Sequence, residues 1–378
     1  LKRDSELFLT EKNRDIVRRA AEECAVLLKN NGILPLDGDI KKIAVIGPFA
    51  DTGKILGGWC CNGIADETVT VADGVRKLLP GAEVTVVNGC SALWDENSVP
   101  GLDAAVDAAK HADAVILCIG EPEDYTGESK SRTELKLSAP QVALTEAVTR
   151  ANSNTVACVF CGRPIVLTEA EPYLNAILEC WMPGTEGGNA VAELLFGRVN
   201  PSGKIPMSFP KATGQCPIYY SRPRVGRPVG PDAEYKFKPY ASNYSDCGNL
   251  PLYPFGYGLS YTEFVYEELS LDSHTLEKDG SISVRVKVRN AGTRDGKEVV
   301  QLYFSDTVAS VVRPEQKLLD FKKIEIKAGE TASAEFTVTE PQLRFYDFNC
   351  RHISEAGEFG LFVGYADHKY LEDKFTLK

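Results

Sequence analysis

Short apolar runs alternate with helical patterns through the first half of the chain, and this alternation most limits how it can fold. The apolar runs have the length and character of buried strands, whereas the segments between them carry apolar residues at helical spacing. The strand-like runs are 42–47, 83–89, 114–120, 155–162 and 176–182, and the helical segments are 70–79, 102–111, 139–151 and 186–197. Strands that alternate with helices favour an α/β fold with a doubly wound, mostly parallel sheet. One amphipathic helix from about Thr10 to Gly32 precedes it.

The pattern changes twice further along the chain. Prolines, glycines and tyrosines replace periodicity from Pro201 to Pro254, as in a connection between domains. From Phe264 onward apolar and polar residues alternate, most clearly in 281–288 and 331–338, with turn signals between them. This segment predicts an all-β, antiparallel sandwich. We therefore expect an α/β sandwich domain at 1–210, an irregular interdomain connection at 211–263 and a β-sandwich at 264–378.

The charge and hydropathy of the chain limit the kinds of partner that it can be expected to bind. The net charge is −11 and no basic run is present, which argues against nucleic acid as a partner. A segment that crosses a bilayer needs about 20 consecutive apolar residues, and no stretch of this sequence approaches that length. No membrane partner is therefore expected. A neutral small substrate fits this composition better.

The cysteines and histidines indicate neither a disulfide framework nor a metal site. Four of the eleven cysteines lie in apolar runs, where they behave as small hydrophobic residues. A reducing compartment, the cytoplasm, is therefore the simpler expectation for this chain. With four histidines and no zinc-ligand spacing, we expect no metal. The turn at Gly47-Pro48 lacks dinucleotide-binding spacing, so no cofactor is expected. The chain opens on Leu1 rather than Met, as a fragment or processed product would.

A cluster of carboxylates follows the apolar run 114–120. Glu121, Glu123, Asp124 and Glu128 leave the predicted sheet where its strands end. Ligands of open α/β sheets bind beyond the carboxyl ends of the strands, so this loop is the first candidate for chemistry. The alternative to a catalytic role is that this loop is ordinary solvated surface, as acidic loops of acidic proteins often are.

Other candidates lie at the same predicted edge. Gly57-Gly58-Trp59 places a flat aromatic ring in a glycine-flanked loop, where it can cover the apolar face of a sugar or fill a core. Arg163 follows a strand and is either a site residue or a structural ion-pair partner. Trp181 lies inside an apolar run and favours the core.

The chain carries the motifs VLLKN at 26–30, GRP at 162–164, PGTEGG at 183–188, PSGKIP at 201–206 and YPFGYGLSYT at 253–262. In their order and spacing these motifs resemble glycoside hydrolase family three and its β-glucosidase branch. Arg313-Pro314 and the segment 319–324 similarly resemble the terminal fibronectin type III-like domain of that family, an immunoglobulin-like β-sandwich.

The resemblance implies a retaining, exo-acting β-glucosidase that hydrolyses terminal β-D-glucosyl residues of small oligosaccharides or of aryl and alkyl β-glucosides. In that family an N-terminal (β/α)8 barrel carries the nucleophilic aspartate, which has no counterpart here. The acid/base role maps onto Glu128, with Glu121 as the runner-up. Trp59 matches an aromatic on the aglycone side of the pocket, and Arg132 binds substrate or anchors the loop.

Retaining glycosidases need two carboxyl groups about 5 Å apart, one protonated and one ionised. This chain supplies one of them, so we expect it to need the barrel as partner and to be inactive alone. A β-xylosidase or α-arabinofuranosidase of the same family is an alternative, as is a non-catalytic carbohydrate-binding module that uses Trp59, Tyr219 and Tyr220. A homodimer is compatible with the sequence.

Overall fold

The computed structural model describes residues 8–93, 99–228 and 240–378, which form two compact units. The first unit comprises the chain up to Lys204 with Lys211–Gly214 and Gly258–Tyr261, and the second comprises Ile205–Pro210, Gln215–Tyr257 and Thr262–Lys378. The first residues of the chain, and part of the connection predicted at 211–263, lie outside the described residues.

A six-stranded sheet is the centre of the first unit. Its order is β1-β6-β5-β4-β2-β3, and only β1 runs antiparallel to its neighbour. The mostly parallel α/β sheet predicted from the sequence is therefore confirmed. The strands are β1 (Val26–Asn30), β2 (Lys42–Ile46), β3 (Glu83–Val87), β4 (Ala114–Gly120), β5 (Thr155–Phe160) and β6 (Ala176–Glu179).

Five helices belong to the same unit: α1 (Glu11–Cys24), α2 (Val71–Leu78), α3 (Leu102–His111), α4 (Ala139–Ala151) and α5 (Gly187–Leu195). The strands β4 and β5 are buried at every position, as expected for central parallel strands covered on both faces. The side chains on one face of these strands form the centre of a hydrophobic core with those of β2 and α5.

The single helix expected from Thr10 to Gly32 is wrong in its second half. Thr10 caps α1 by accepting a hydrogen bond from the Asn13 backbone, but the helix ends at Cys24. Ala25 is extended, and β1 follows as a strand paired with β6. Consecutive apolar residues in β1 are buried on both faces of the sheet, so their spacing resembled that of a helix.

The second unit is an all-β sandwich with a separate core. Its larger sheet has the order β11-β10-β15-β16-β8, its smaller sheet has the order β12-β9-β7, and a short hairpin joins β13 to β14. The antiparallel β-sandwich predicted from alternation is confirmed. Its elements are β7 (Phe264–Leu271), β8 (Thr275–Leu276), β9 (Ser281–Asn290), β10 (Gly296–Asp306), β11 (Lys317–Ile326), β12 (Thr331–Thr339), α6 (Glu340–Leu343), β13 (Phe345–Tyr346), β14 (His352–Ile353), β15 (Gly357–Tyr365) and β16 (His368–Leu377).

Among the described residues, no helix combines the length and apolar character that crossing a membrane requires.

Candidate active site

The carboxyl ends of four neighbouring parallel strands form the edge where the candidate residues gather. The chain pairs β2 with β3 on one side and with β4 on the other, which makes the gap between β2 and β4 the topological switch point of the sheet. Crevices at such points bind ligands in open α/β sheets. The loop after β2 carries Trp59, and the loop after β4 carries the predicted carboxylates.

Glu121, the first residue after β4, anchors its loop. Its side chain is 2% exposed and accepts three hydrogen bonds. Arg132 Nη1 donates to Oε1 at 2.7 Å, whereas Thr126 Oγ1 and Arg163 Nε donate to Oε2 at 2.6 and 3.1 Å. The residue proposed as runner-up for proton transfer thus has both oxygens engaged by donors from its own loop and from the turn after β5.

Arg163 pins the same loop on both sides of its tip. Besides Glu121, its guanidinium donates to the backbone oxygens of Tyr125 and of Lys130, the latter at 3.0 Å. Arg132 donates to the Lys136 backbone oxygen at 3.2 Å and lies 5.3 Å from the centre of the Tyr125 ring. Both arginines therefore hold the loop in place through charge-assisted hydrogen bonds. The substrate-binding role of Arg132 stays a prediction.

The tip of this loop presents Glu128 to solvent. Its carboxylate makes no hydrogen bond or ion pair with any residue that the structure describes. Its neighbours Gly127 and Ser129 both have positive φ, at 135° and 60°, so the chain turns sharply on either side of it. A free carboxylate on an anchored turn is suited to meet a ligand.

Trp59 lies beside this tip on the loop after β2. Its side chain is 65% exposed, and its Nε1 lies 3.8 Å from where a Cβ on Gly127 would be. The preceding Gly58 allows the approach, because a Cβ there would lie 2.6 Å from the Thr126 backbone oxygen. The ring and the Glu128 turn thus share one edge, as the sequence placed them.

Trp181 and Glu179 occupy the end of β6 on this edge. Trp181, expected in the core, is half-buried and has a φ of 53°, an uncommon conformation for a bulky side chain. Glu179 is fully buried, and burial raises the pKa of its carboxyl to about 8. We had not singled out Glu179, although one charged residue in the apolar run Ala176–Glu179 was the available signal.

Tyr219 and Tyr220, the other candidate stacking platforms, belong to the second unit. Tyr220 stacks on Phe255 with ring centres 4.1 Å apart, and its hydroxyl accepts from the Leu318 backbone, so it serves packing. Tyr219 is 65% exposed. Across the described residues, no group of three or more histidine, cysteine or acidic side chains is arranged to hold a metal ion.

Comparison with known families matches residues 25–261 to the glycosyl hydrolase family 3 C-terminal domain and residues 298–366 to the fibronectin type III-like domain. A periplasmic beta-glucosidase of Salmonella typhimurium is 38% identical over 97% of this chain and 50% of its own length. A beta-xylosidase of Formosa agariphila is 37% identical over 94% of this chain and 48% of its own length.

Solved structures agree with these matches. A mutant beta-glucosidase from Listeria innocua in complex with laminaribiose superposes with a TM-score of 0.91 at 36% identity, covering 100% of this chain and 51% of that one. The Listeria innocua enzyme in complex with glucose gives the same TM-score and identity over 99% of this chain and 51% of that chain. The chain spans about half the length of the relatives it matches.

Proposed function

This chain belongs to glycoside hydrolase family 3, and we propose that it supplies the proton donor of a retaining, exo-acting β-glucosidase. Relatives named as glycosidases support the hydrolase class. The observation that carries the proposal is the exposed carboxylate of Glu128, which pairs with no described residue and lies on an anchored turn beside the exposed ring of Trp59.

Glu128 is the stronger of the two candidates for the acid/base role. A general acid needs a proton to give and a free path to the leaving oxygen. Glu121 is buried and accepts from two guanidinium groups and one hydroxyl, which favours a role in holding the loop. Trp59 is proposed to cover the apolar face of the leaving group.

The nucleophile is proposed to come from an N-terminal barrel outside these residues. A retaining mechanism requires a second carboxylate about 5 Å from the first. The relatives are about twice as long as the matched region, which leaves room for such a domain in them. Within this unit Glu128 is exposed and forms no ion pair with a described residue, whereas the acid of a glycosidase works in a buried site close to a second charge. The barrel is proposed to supply both when the site is complete.

The proposed substrate is a short β-glucan or a β-glucoside with an apolar leaving group. Laminaribiose bound to a relative at 36% identity makes β-linked diglucosides the first compounds to test. No cofactor is invoked, because proton transfer and nucleophilic attack by two carboxyl groups complete the reaction.

The test uses this chain alone and fused behind the N-terminal half of the Listeria innocua enzyme. We expect the 378-residue chain to leave nitrophenyl β-glucoside intact and the fusion to hydrolyse it. Within the fusion, Glu128→Gln should lower kcat/KM for laminaribiose by about 10²- to 10⁴-fold, the usual contribution of general acid–base catalysis.

Glu123→Gln is the matched control, because Glu123 lies on the same loop and, among the described residues, its side chain forms only a 3.8 Å ion pair with exposed Lys54. It should stay near the parent rate. Equal losses in both variants, or turnover by the unfused chain that Glu128→Gln abolishes, would contradict the proposal.

A β-xylosidase is the second candidate, favoured by the relative from Formosa agariphila at 37% identity. The ratio of kcat/KM for nitrophenyl β-glucoside over β-xyloside and α-arabinofuranoside separates these activities. A carbohydrate-binding module predicts instead that the unfused chain binds glucose tightly by calorimetry, whereas an incomplete pocket predicts weak binding.

A further inference from the structure

Glu179 lies beneath the candidate site and connects its two loops. Its side chain is completely buried at the carboxyl end of β6. Oε1 accepts hydrogen bonds from the Trp181 backbone at 2.8 Å and from the Cys161 thiol at 3.3 Å. These contacts tie Glu179 to the turn after its own strand and to the turn after β5.

The other oxygen of Glu179 indicates that the group is neutral. Oε2 is buried and has no hydrogen-bond partner within the described ranges, and no cation pairs with the side chain there. A buried carboxylate without compensation is strongly unfavourable, whereas a carboxylic acid tolerates this arrangement better. Oε1 then acts as the carbonyl acceptor and Oε2 carries the proton.

One path leads from Glu179 to the Trp59 loop. The hydrogen bond to Glu179 holds the Trp181 backbone in its left-handed conformation. The next residue, Met182, packs so closely on Gly57 that a Cβ on this glycine would lie 2.7 Å from Met182 Cγ. Gly57 leads directly into Gly58 and Trp59.

The other path leads to the Glu128 loop. Cys161 precedes Gly162, where a Cβ would lie 2.1 Å from Thr126 Cγ2. Thr126 is one of the three donors to Glu121, and the residue after Gly162 is Arg163, which pins the loop. A shift of the turn after β5 is therefore transmitted to the Glu128 turn.

We propose that Glu179 is a positioning residue for the reaction, which aligns the Trp59 and Glu128 loops by holding the turns after β5 and β6 together. The expected effect on catalysis rests on the proposed function. The expected effect on the two loops rests on the contacts of Glu179 alone.

The same arrangement makes the site sensitive to alkaline pH. Burial raises the pKa of Glu179 to about 8. The titratable groups that face it are the thiols of Cys161 and Cys180, and burial holds the pKa of both well above the usual range, so both stay neutral and offer no charge to balance an ionised Glu179. Glu121 adds a negative charge that acts on Cys161. Above pH 8 Glu179 becomes a buried anion, which favours opening of the turns.

The first experiment needs no turnover. Tryptophan fluorescence of the 378-residue chain is titrated from pH 6 to 9.5, and we expect a transition near pH 8. It should be absent from Glu179→Gln and retained in Glu22→Gln, which removes a different buried carboxyl on α1. No transition in the parent chain, or an unchanged one in Glu179→Gln, overturns the proposal.

The second experiment uses the fusion enzyme and compares kcat and KM of two Glu179 variants. Glu179→Gln, which keeps an acceptor for the Trp181 backbone, should cost less than about threefold in kcat at pH 6.5. Glu179→Leu, which removes the acceptor for Trp181, should lower kcat by about tenfold or more with a smaller change in KM. An equal loss of kcat in Glu179→Gln and Glu179→Leu, or a loss that falls mainly on KM, contradicts the positioning role. A fusion that is inactive without any substitution counts against the proposed function instead, and the fluorescence titration still decides the role of Glu179.

Discussion

Replacing Glu121 by Gln should destabilise the first unit much more than a surface substitution does. The carboxylate is 2% exposed and bound by the guanidinium groups of Arg132 and Arg163, whose side chains are 11% and 25% exposed. An amide of the same shape removes the charge and leaves two largely buried cations facing a weaker acceptor. Breaking a buried pair from one side costs about 3–5 kcal/mol, so we expect a loss in this range.

Urea denaturation followed by far-ultraviolet circular dichroism measures this loss, because α1 to α5 all belong to the first unit. Two units can unfold separately, so the helical signal is analysed as its own transition. Glu123→Gln on the same loop is the control, with an expected change below about 1 kcal/mol. If both substitutions shift the free energy of unfolding by the same small amount, the anchoring role of Glu121 is refuted.

Two buried glutamates should give opposite pH dependence of stability. Burial and the neighbouring Glu193 raise the pKa of Glu22 to about 7, so its contribution is complete below the unfolded value of about 4.3 and is lost as pH rises through 7. The parent chain should lose on the order of 2–3 kcal/mol more than Glu22→Gln between pH 5 and 8 in urea titrations of the first unit, and parallel profiles would argue against this. The hydrogen bond from Arg344 lowers the pKa of Glu340 to about 2, so its contribution is present above about pH 4.3 and is lost as pH falls toward 2. Glu340→Gln should therefore destabilise the β-sandwich at pH 7 and converge with the parent in acid thermal melts, and a constant difference at all pH values would exclude the ion pair as the cause.

Most of the fold could be predicted from the sequence because hydrophobic periodicity reports burial. The segments 114–120, 102–111 and 139–151 coincide with β4, α3 and α4. The strand β1 could not be recognised in this way, since its buried run is equally compatible with a helix and only its pairing with β6 decides the matter.

The candidate site was predictable at the level of loops but not of contacts. The position of the carboxylates directly after an apolar run predicted their place at the end of β4. The flanking Gly57 and Gly58 indicated that Trp59 lies in a loop. The pairing of Glu121 with Arg132 and Arg163 depends on how two turns meet in space, which local spacing does not encode. Which of the two glutamates donates the proton, and the cytoplasmic location expected from the cysteines, stay predictions.

The most direct test of the central claim is the dependence of the Glu128→Gln defect on the leaving group, measured in the fusion enzyme. If Glu128 protonates the departing oxygen, the loss in kcat/KM should be large for laminaribiose and alkyl glucosides and small for dinitrophenyl β-glucoside, whose leaving group needs little help from an acid. An equal loss for every leaving group would contradict the assignment of Glu128 as the proton donor.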